Sequence, residues 1–184
     1  KLVIFLLIIF VFGIALSPLY QFLNLYYKDI GSGNEFIGLV FFIQAMFEIP
    51  SFLLGVKLIR KNRPEKVILF SMLISMLRMV LYGFISDPVI AASLSPFHGI
   101  TIALFLIGIV EYVQKQTPGH LRTTGQALIW AFHFGAGVAL GNLLLGYLRD
   151  HGGILRAMHI HALIAAAVLV WAFWFFRPYR SSSL

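Results

Sequence analysis

Long apolar runs alternate with short polar gaps along the whole chain. Six runs stand out, at 2–27, 36–58, 67–85, 89–110, 123–148 and 157–176. Each holds about 19 to 26 residues, and at 1.5 Å of rise per residue that length carries a helix across about 30 Å of hydrocarbon. The runs lack the apolar–polar alternation of a barrel strand, and a helix satisfies its own backbone hydrogen bonds in lipid without a neighbour. The pattern predicts an all-α, polytopic membrane protein: six transmembrane helices in a single domain over 1–184.

Composition agrees and narrows the class. Of 184 residues 60% are hydrophobic and 11% charged, where a soluble domain carries roughly 25% charged residues. The net charge of +7 raises nucleic acid as a partner. Lys and Arg fall in the short gaps rather than on one amphipathic face, which excludes it. Cysteine is absent, so neither a disulfide scaffold nor a thiolate metal site is available.

The gaps also set the topology. One set of helix ends carries Lys1, Lys57, Arg60, Lys61, Arg63, Lys66, Lys115, Arg122, Arg177 and Arg180, and the opposite set carries Lys28, Arg149 and Arg156. The basic set is expected on the cytoplasmic side of a plasma (bacterial inner) membrane, with both ends of the segment inside and the gaps 86–88 and 149–156 outside. The sequence starts at Lys1 and enters an apolar run at once, as a piece of a longer polypeptide would. That first run is too long for a signal-peptide core.

Prolines and glycines mark irregularities within the runs. Pro18, Pro50 and Pro96 each remove a backbone donor and free a carbonyl one turn earlier, which needs a neighbour, a hydroxyl or water. Either a cavity-lining hinge or a plain packing kink results. Gly135, Gly137, Gly141 and Gly146 form a small-residue stripe with one GxxxG, read as a face for close helix packing.

Three ionisable residues interrupt the apolar runs near their middles: Glu48, Arg78 and His98. Helical rise puts Glu48 about 18 Å below the outer end of the second run, Arg78 about 16 Å above the inner end of the third and His98 about 14 Å below the outer end of the fourth. A charge at the bilayer centre costs at least about 2.5 kcal/mol, so such residues normally face a protein interior or an aqueous cavity. An ion pair between Glu48 and Arg78 is the cheapest arrangement, with His98 able to bond to either. A buried carboxylate whose partner moves is a proton carrier; the alternative is a static bridge that sets helix register. Gln44 is one turn from Glu48 on the same face, and Tyr20 and Asn24 share a face after Pro18; these are candidate substrate contacts or ordinary interfacial anchors.

Other polar residues have simpler readings. Glu111 and Lys115 form an interfacial i,i+4 pair. His133 is a hydrogen-bonded core histidine, and His159 and His161 point to different faces, so no metal site is expected. No serine stands in a Gly-x-Ser-x-Gly context, so hydrolytic catalysis is not expected, and no cofactor is implied.

The segment Gly55-Val-Lys-Leu-Ile-Arg60-Lys-Asn-Arg63 resembles the cytoplasmic loop motif of the major facilitator superfamily, with Ile59 and Asn62 standing where Asp and Gly are usual. Asn also tolerates a left-handed turn. Glu48, Arg78 and His98 on consecutive spans, with His98-Gly-Ile-Thr101, Tyr112 and Pro118-Gly-His-Leu-Arg122-Thr-Thr-Gly-Gln126, are similar to the phenylpropionate permease and lactose permease groups of proton symporters. Thr101 stands where the sugar symporters carry a second glutamate. The resemblance covers essentially the whole chain and implies the C-terminal half of a twelve-helix transporter, built as two inverted three-helix repeats, with a homologous N-terminal half upstream.

On that resemblance the function is proton-coupled symport of a small organic solute, with an aromatic or organic acid suited to Arg78. Glu48 would take the proton, Arg78 hold its charge or a substrate anion, and His98 orient the substrate; Thr101 joins the candidate contacts. The partners are then a small-molecule substrate, protons, the lipid bilayer and the missing half. The alternatives are an uncoupled facilitator or sensor, a sugar or nucleoside symporter, and a stand-alone six-helix channel or membrane enzyme.

Overall fold

The computed structural model describes residues 1–177, and every element in it is helical; Arg180 lies outside the described residues. The first run forms α1 (Leu2–Tyr20) and α2 (Leu23–Asp29) rather than one helix over 2–27. Pro18 lies inside α1 and takes a donor from the carbonyl of Ile14. That carbonyl instead accepts from the Ser17 hydroxyl at 3.1 Å and from His161 Nδ1, also at 3.1 Å. A hydroxyl and a neighbouring helix thus satisfy the group the proline freed.

The second and third runs form α3 (Asn34–Lys61) and α4 (Pro64–Phe84). Pro64 starts α4, where its missing N–H is no loss. The fourth run divides into α5 (Pro88–Ala92) and α6 (Pro96–Gln116). Asp87 caps α5, accepting from the backbone N–H groups of Val89 and Ile90 at 2.8 and 2.9 Å. Pro96 therefore opens a helix instead of kinking one in mid-span.

From Arg122 the chain stays helical through α7 (Arg122–Ile129), a π-helical stretch (Trp130–Gly137) and α8 (Val138–Phe176). Gly153 interrupts α8 with φ 77° and ψ 165°, a backbone region that glycine alone adopts readily. The contacts on either side show that the chain reverses there. Gly137 lies against Phe10 and Gly141 against Ser17, Arg149 reaches Asp29, and beyond Gly153 the chain returns past Ile14 at His161 to Phe5 at Phe176. The helical stretch Gly119–Phe176 therefore runs along the bundle twice, and the five long apolar helical stretches among the described residues make six passes of the bundle.

The ends of the bundle are distinct. Phe5 of α1 stacks 4.3 Å from Tyr112 at the end of α6 and 6.2 Å from Phe176 at the end of α8, and Arg63, Lys66 and Arg177 line one cleft at this end. At the other end Tyr26 donates to the carbonyl of Ile85 at 2.7 Å, and Arg149 grips Asp29 with two hydrogen bonds of 2.7 and 2.8 Å. Core side chains concentrate on α1, where Phe5, Ile8, Ile9, Phe12 and Leu16 are buried. In the glycine stripe the GxxxG pair does the packing: a β-carbon on Gly137 would lie 2.6 Å from the carbonyl oxygen of Phe10, and Gly141 abuts Ser17, whereas Gly146 faces open space.

Candidate functional site

Three helices build the site. Glu48 lies on α3 in the turn before Pro50, Arg78 in the last third of α4, and His98 in the first turn of α6. α6 packs against both α3 and α4. Its approach to α3 depends on Gly99, where a β-carbon would stand 2.5 Å from the carbonyl carbon of Phe47 and 2.6 Å from the amide nitrogen of Glu48. Two backbones in contact bring His98 Nε2 to 3.5 Å from Glu48 Oε1. The Glu48 side chain keeps 39% of its surface exposed and that of His98 keeps 13%.

Arg78 faces the same helix from the other side. It is 3% exposed, and one guanidinium nitrogen donates to Thr101 Oγ1 at 3.0 Å. The Thr101 hydroxyl in turn lies 2.9 and 3.0 Å from the carbonyls of His98 and Phe97. Nε and the second terminal nitrogen of Arg78 are buried without a hydrogen-bond partner. The guanidinium carbon sits 5.9 Å from the Tyr82 ring centroid, which offers cation–π contact but no acceptor.

The expected ion pair between Glu48 and Arg78 does not form. α6 lies between α3 and α4, so each charge meets a residue of α6 before it can meet the other: Glu48 meets His98, and Arg78 meets Thr101. The structure joins the three predicted residues through the middle helix.

The remaining candidates divide. Tyr20 lies with its hydroxyl 3.4 Å from Nε2 of the fully buried His133. His133 Nδ1 is 2.6 Å from the carbonyl of Ile9, an obligate acceptor, so Nδ1 carries the proton and Nε2 accepts from Tyr20. Phe105 and Phe134 surround that ring at 4.8 and 4.5 Å, which makes His133 the hydrogen-bonded core histidine expected. Asn24 is on α2, past the break at Gln21–Phe22, so it does not share a helical face with Tyr20; its Oδ1 accepts from the N–H of Leu25 at 2.7 Å. Gln44 is buried, and its Nε2 has no hydrogen-bond partner.

The loop residues are structural in their contacts. A β-carbon on Gly55 would lie 2.6 Å from Ile107 Cδ1, Arg60 is exposed, and Arg63 Nε is 3.7 Å from Glu65 Oε2. Asn62 takes no left-handed turn: at φ −128° and ψ 157° it is extended, and its side-chain amide donates to the carbonyl of Leu58 at 3.0 Å. Lys115 and Glu111 pair at 3.1 Å. His161 faces α1 and His159 faces Phe84, and among the described residues no cluster of three or more His, Asp and Glu side chains is placed to hold a metal. The residue missed from sequence was Gly99, whose role shows only once α3 lies against it.

The profile of the MFS_1 like family matches residues 1–173. The uncharacterized transporter YwbF of Bacillus subtilis (strain 168) is 27% identical over 146 residues, which is 79% of this chain and 37% of that protein's length. The chain thus spans little more than a third of that curated relative. With nearly every residue inside the matched region, the chain belongs to the MFS_1 like family of the major facilitator superfamily.

Proposed function

We propose that the chain is one six-helix half of a secondary transporter that carries a small organic acid together with a proton. The observation that carries this reading is Arg78: a guanidinium 3% exposed on a membrane helix, with two nitrogens lacking any acceptor. Leaving buried charged donors unpaired is costly. A carboxylate offering two oxygens in the guanidinium plane would relieve that cost, which suits an aromatic or other small organic acid. Gln44, with its own orphan donor, is a second candidate contact.

Glu48 is the proton carrier in this scheme. Its carboxyl is half-open and touches His98, so protonation changes the charge of a pair at the face left for a second half. Substrate would bind between halves near the midplane, and rocking would expose it to each side in turn. The basic end of the bundle is then cytoplasmic, with both ends of the segment on the cytoplasmic side of the bacterial inner membrane. YwbF's description as a transporter supports the general class.

The test uses proteoliposomes of the intact protein under an imposed proton gradient, supplied with radiolabelled benzoate or with lactose. Benzoate should accumulate above its external level, and Glu48→Gln should abolish accumulation while leaving exchange intact. Accumulation that survives Glu48→Gln would remove Glu48 as the proton site. Uptake that only equilibrates would mark an uncoupled facilitator, and lactose uptake in place of benzoate would remove the acid.

A further inference from the structure

A basic cleft at one end of the bundle opens into an apolar groove on its outer surface. The cleft, of about 140 Å³, lies between the start of α4 and the end of α8 and is lined by Arg63, Glu65, Lys66, Leu69, Phe176 and Arg177, among others. The groove, of about 410 Å³, is walled by Leu69, Phe70 and Leu73 of α4 and by Leu169, Val170 and Phe173 of α8.

The register of the two helices makes this one continuous feature. Lys66, Leu69, Phe70 and Leu73 follow the i, i+3, i+4, i+7 spacing of a single helical stripe, and Lys66 is its end. On α8, Arg177 stands one turn beyond Phe173, so the second wall also finishes in a cation. Both cations lie at the same end of a trough about 10 Å long, from the rise between residues 66 and 73.

Charge at the mouth is positive on balance. Among the described residues that line the cleft, Arg63, Lys66 and Arg177 are cations and Glu65 is the carboxylate, 3.7 Å from Arg63 Nε. Lys66 has no ion-pair partner among the described residues, and Arg177 lies over the Trp174 ring at 5.0 Å. The first turn of α4 also begins here and directs its positive dipole end toward the mouth.

We propose that this cleft and groove bind one anionic phospholipid, with its phosphate at Lys66 and Arg177 and an acyl chain along the trough. A soluble anion would use the cations and leave the groove empty; a neutral lipid would use the groove and leave the cations unanswered. The feature lies between α4 and α8, whereas Glu48 and His98 lie on α3 and α6, and none of Glu48, Arg78 and His98 lines it. The inference rests on the proposed topology only in placing the cations at the cytoplasmic surface, where anionic lipid is available.

The test uses the intact protein, delipidated in a neutral detergent, with binding read by native mass spectrometry and unfolding by tryptophan fluorescence. Dioleoyl phosphatidylglycerol should bind roughly tenfold more tightly than dioleoyl phosphatidylcholine, the order expected for one or two cations facing an anionic headgroup. It should also raise the unfolding temperature, while glycerol 3-phosphate and dihexanoyl phosphatidylglycerol should not. Lys66→Gln with Arg177→Gln should erase the preference, and Lys66→Arg with Arg177→Lys should keep it. Equal binding of the two long-chain lipids, an equal effect of glycerol 3-phosphate, or a preference that survives the double glutamine change would each overturn the proposal. If the glutamine variant does not fold, the wild-type lipid comparison still decides. Transport need not be measured, so failure here leaves the proposed transport function untouched.

Discussion

His98 Nε2 stands 3.5 Å from Glu48 Oε1 because Gly99, the next residue of α6, has no β-carbon to hold α3 away. The pair is thus a product of backbone approach, and it is vulnerable at a residue that carries no chemistry itself.

Gly99→Ala should therefore separate α3 from α6. The added methyl meets main-chain atoms of Phe47 and Glu48, which cannot rotate aside. Overpacking of this kind costs about 1–3 kcal/mol. The unfolding temperature of the intact protein should fall, and proton-driven accumulation should fall with it. Gly38→Ala on α3, which meets nothing within 4 Å, is the control. An unchanged unfolding temperature for Gly99→Ala would show that the two helices are not held in this contact.

Thr101 is the residue on which Arg78 depends. Thr101→Ala should strand a third donor of a buried guanidinium, at a cost of about 1–3 kcal/mol, whereas Thr101→Ser keeps the hydroxyl and should retain near-native stability and uptake. Thr101→Glu supplies the glutamate that sugar symporters carry here, now beside a guanidinium nitrogen 3.0 Å from the present Oγ1. The new carboxylate should pair with Arg78 and compete with any substrate acid, raising the half-saturating concentration for benzoate. An unaltered benzoate profile in Thr101→Glu would separate Arg78 from the substrate.

What could be read from sequence, and what could not, follows from which forces are local. Membrane crossing asks only for length and apolarity, so the six runs were visible without any packing knowledge. Glu48, Arg78 and His98 were visible because a charge within such a run is expensive wherever it points. Their pairing was not visible, since it depends on α6 lying between α3 and α4 and on a bare glycine at one crossing. The break after Tyr20 was also hidden. Pro18 signals an irregularity, but the chain yields three residues later, and this puts Asn24 on a different face from Tyr20.

The reversal at Gly153 makes a sharper prediction about the same fold. With φ 77° and ψ 165°, this residue occupies a region closed to β-carbons, so Gly153→Ala must strain or unfold the turn by about 1–3 kcal/mol. Gly146→Ala, seven residues earlier in ordinary helix and facing open space, should be neutral or stabilising by up to about 1 kcal/mol. Paired thermal unfolding of the two variants decides between them. Equal behaviour would show that the chain does not turn at Gly153.

His161 and Pro18 should be energetically coupled across two helices. Pro18 deprives the Ile14 carbonyl of its helical donor, and His161 Nδ1 supplies one at 3.1 Å while also lying 3.3 Å from the carbonyl of Ala15. His161→Phe removes that donor and leaves the Ser17 hydroxyl as the partner of Ile14, so it should cost about 1–3 kcal/mol. Pro18→Ala restores an N–H within the helix, and the histidine then has less to do. In the Pro18→Ala background the cost of His161→Phe should fall measurably, so that the double variant costs less than the sum of the two single changes in a double-mutant cycle read by unfolding midpoints. Strict additivity would mean that the histidine contributes through packing alone and that the carbonyl freed by the proline finds its partner elsewhere.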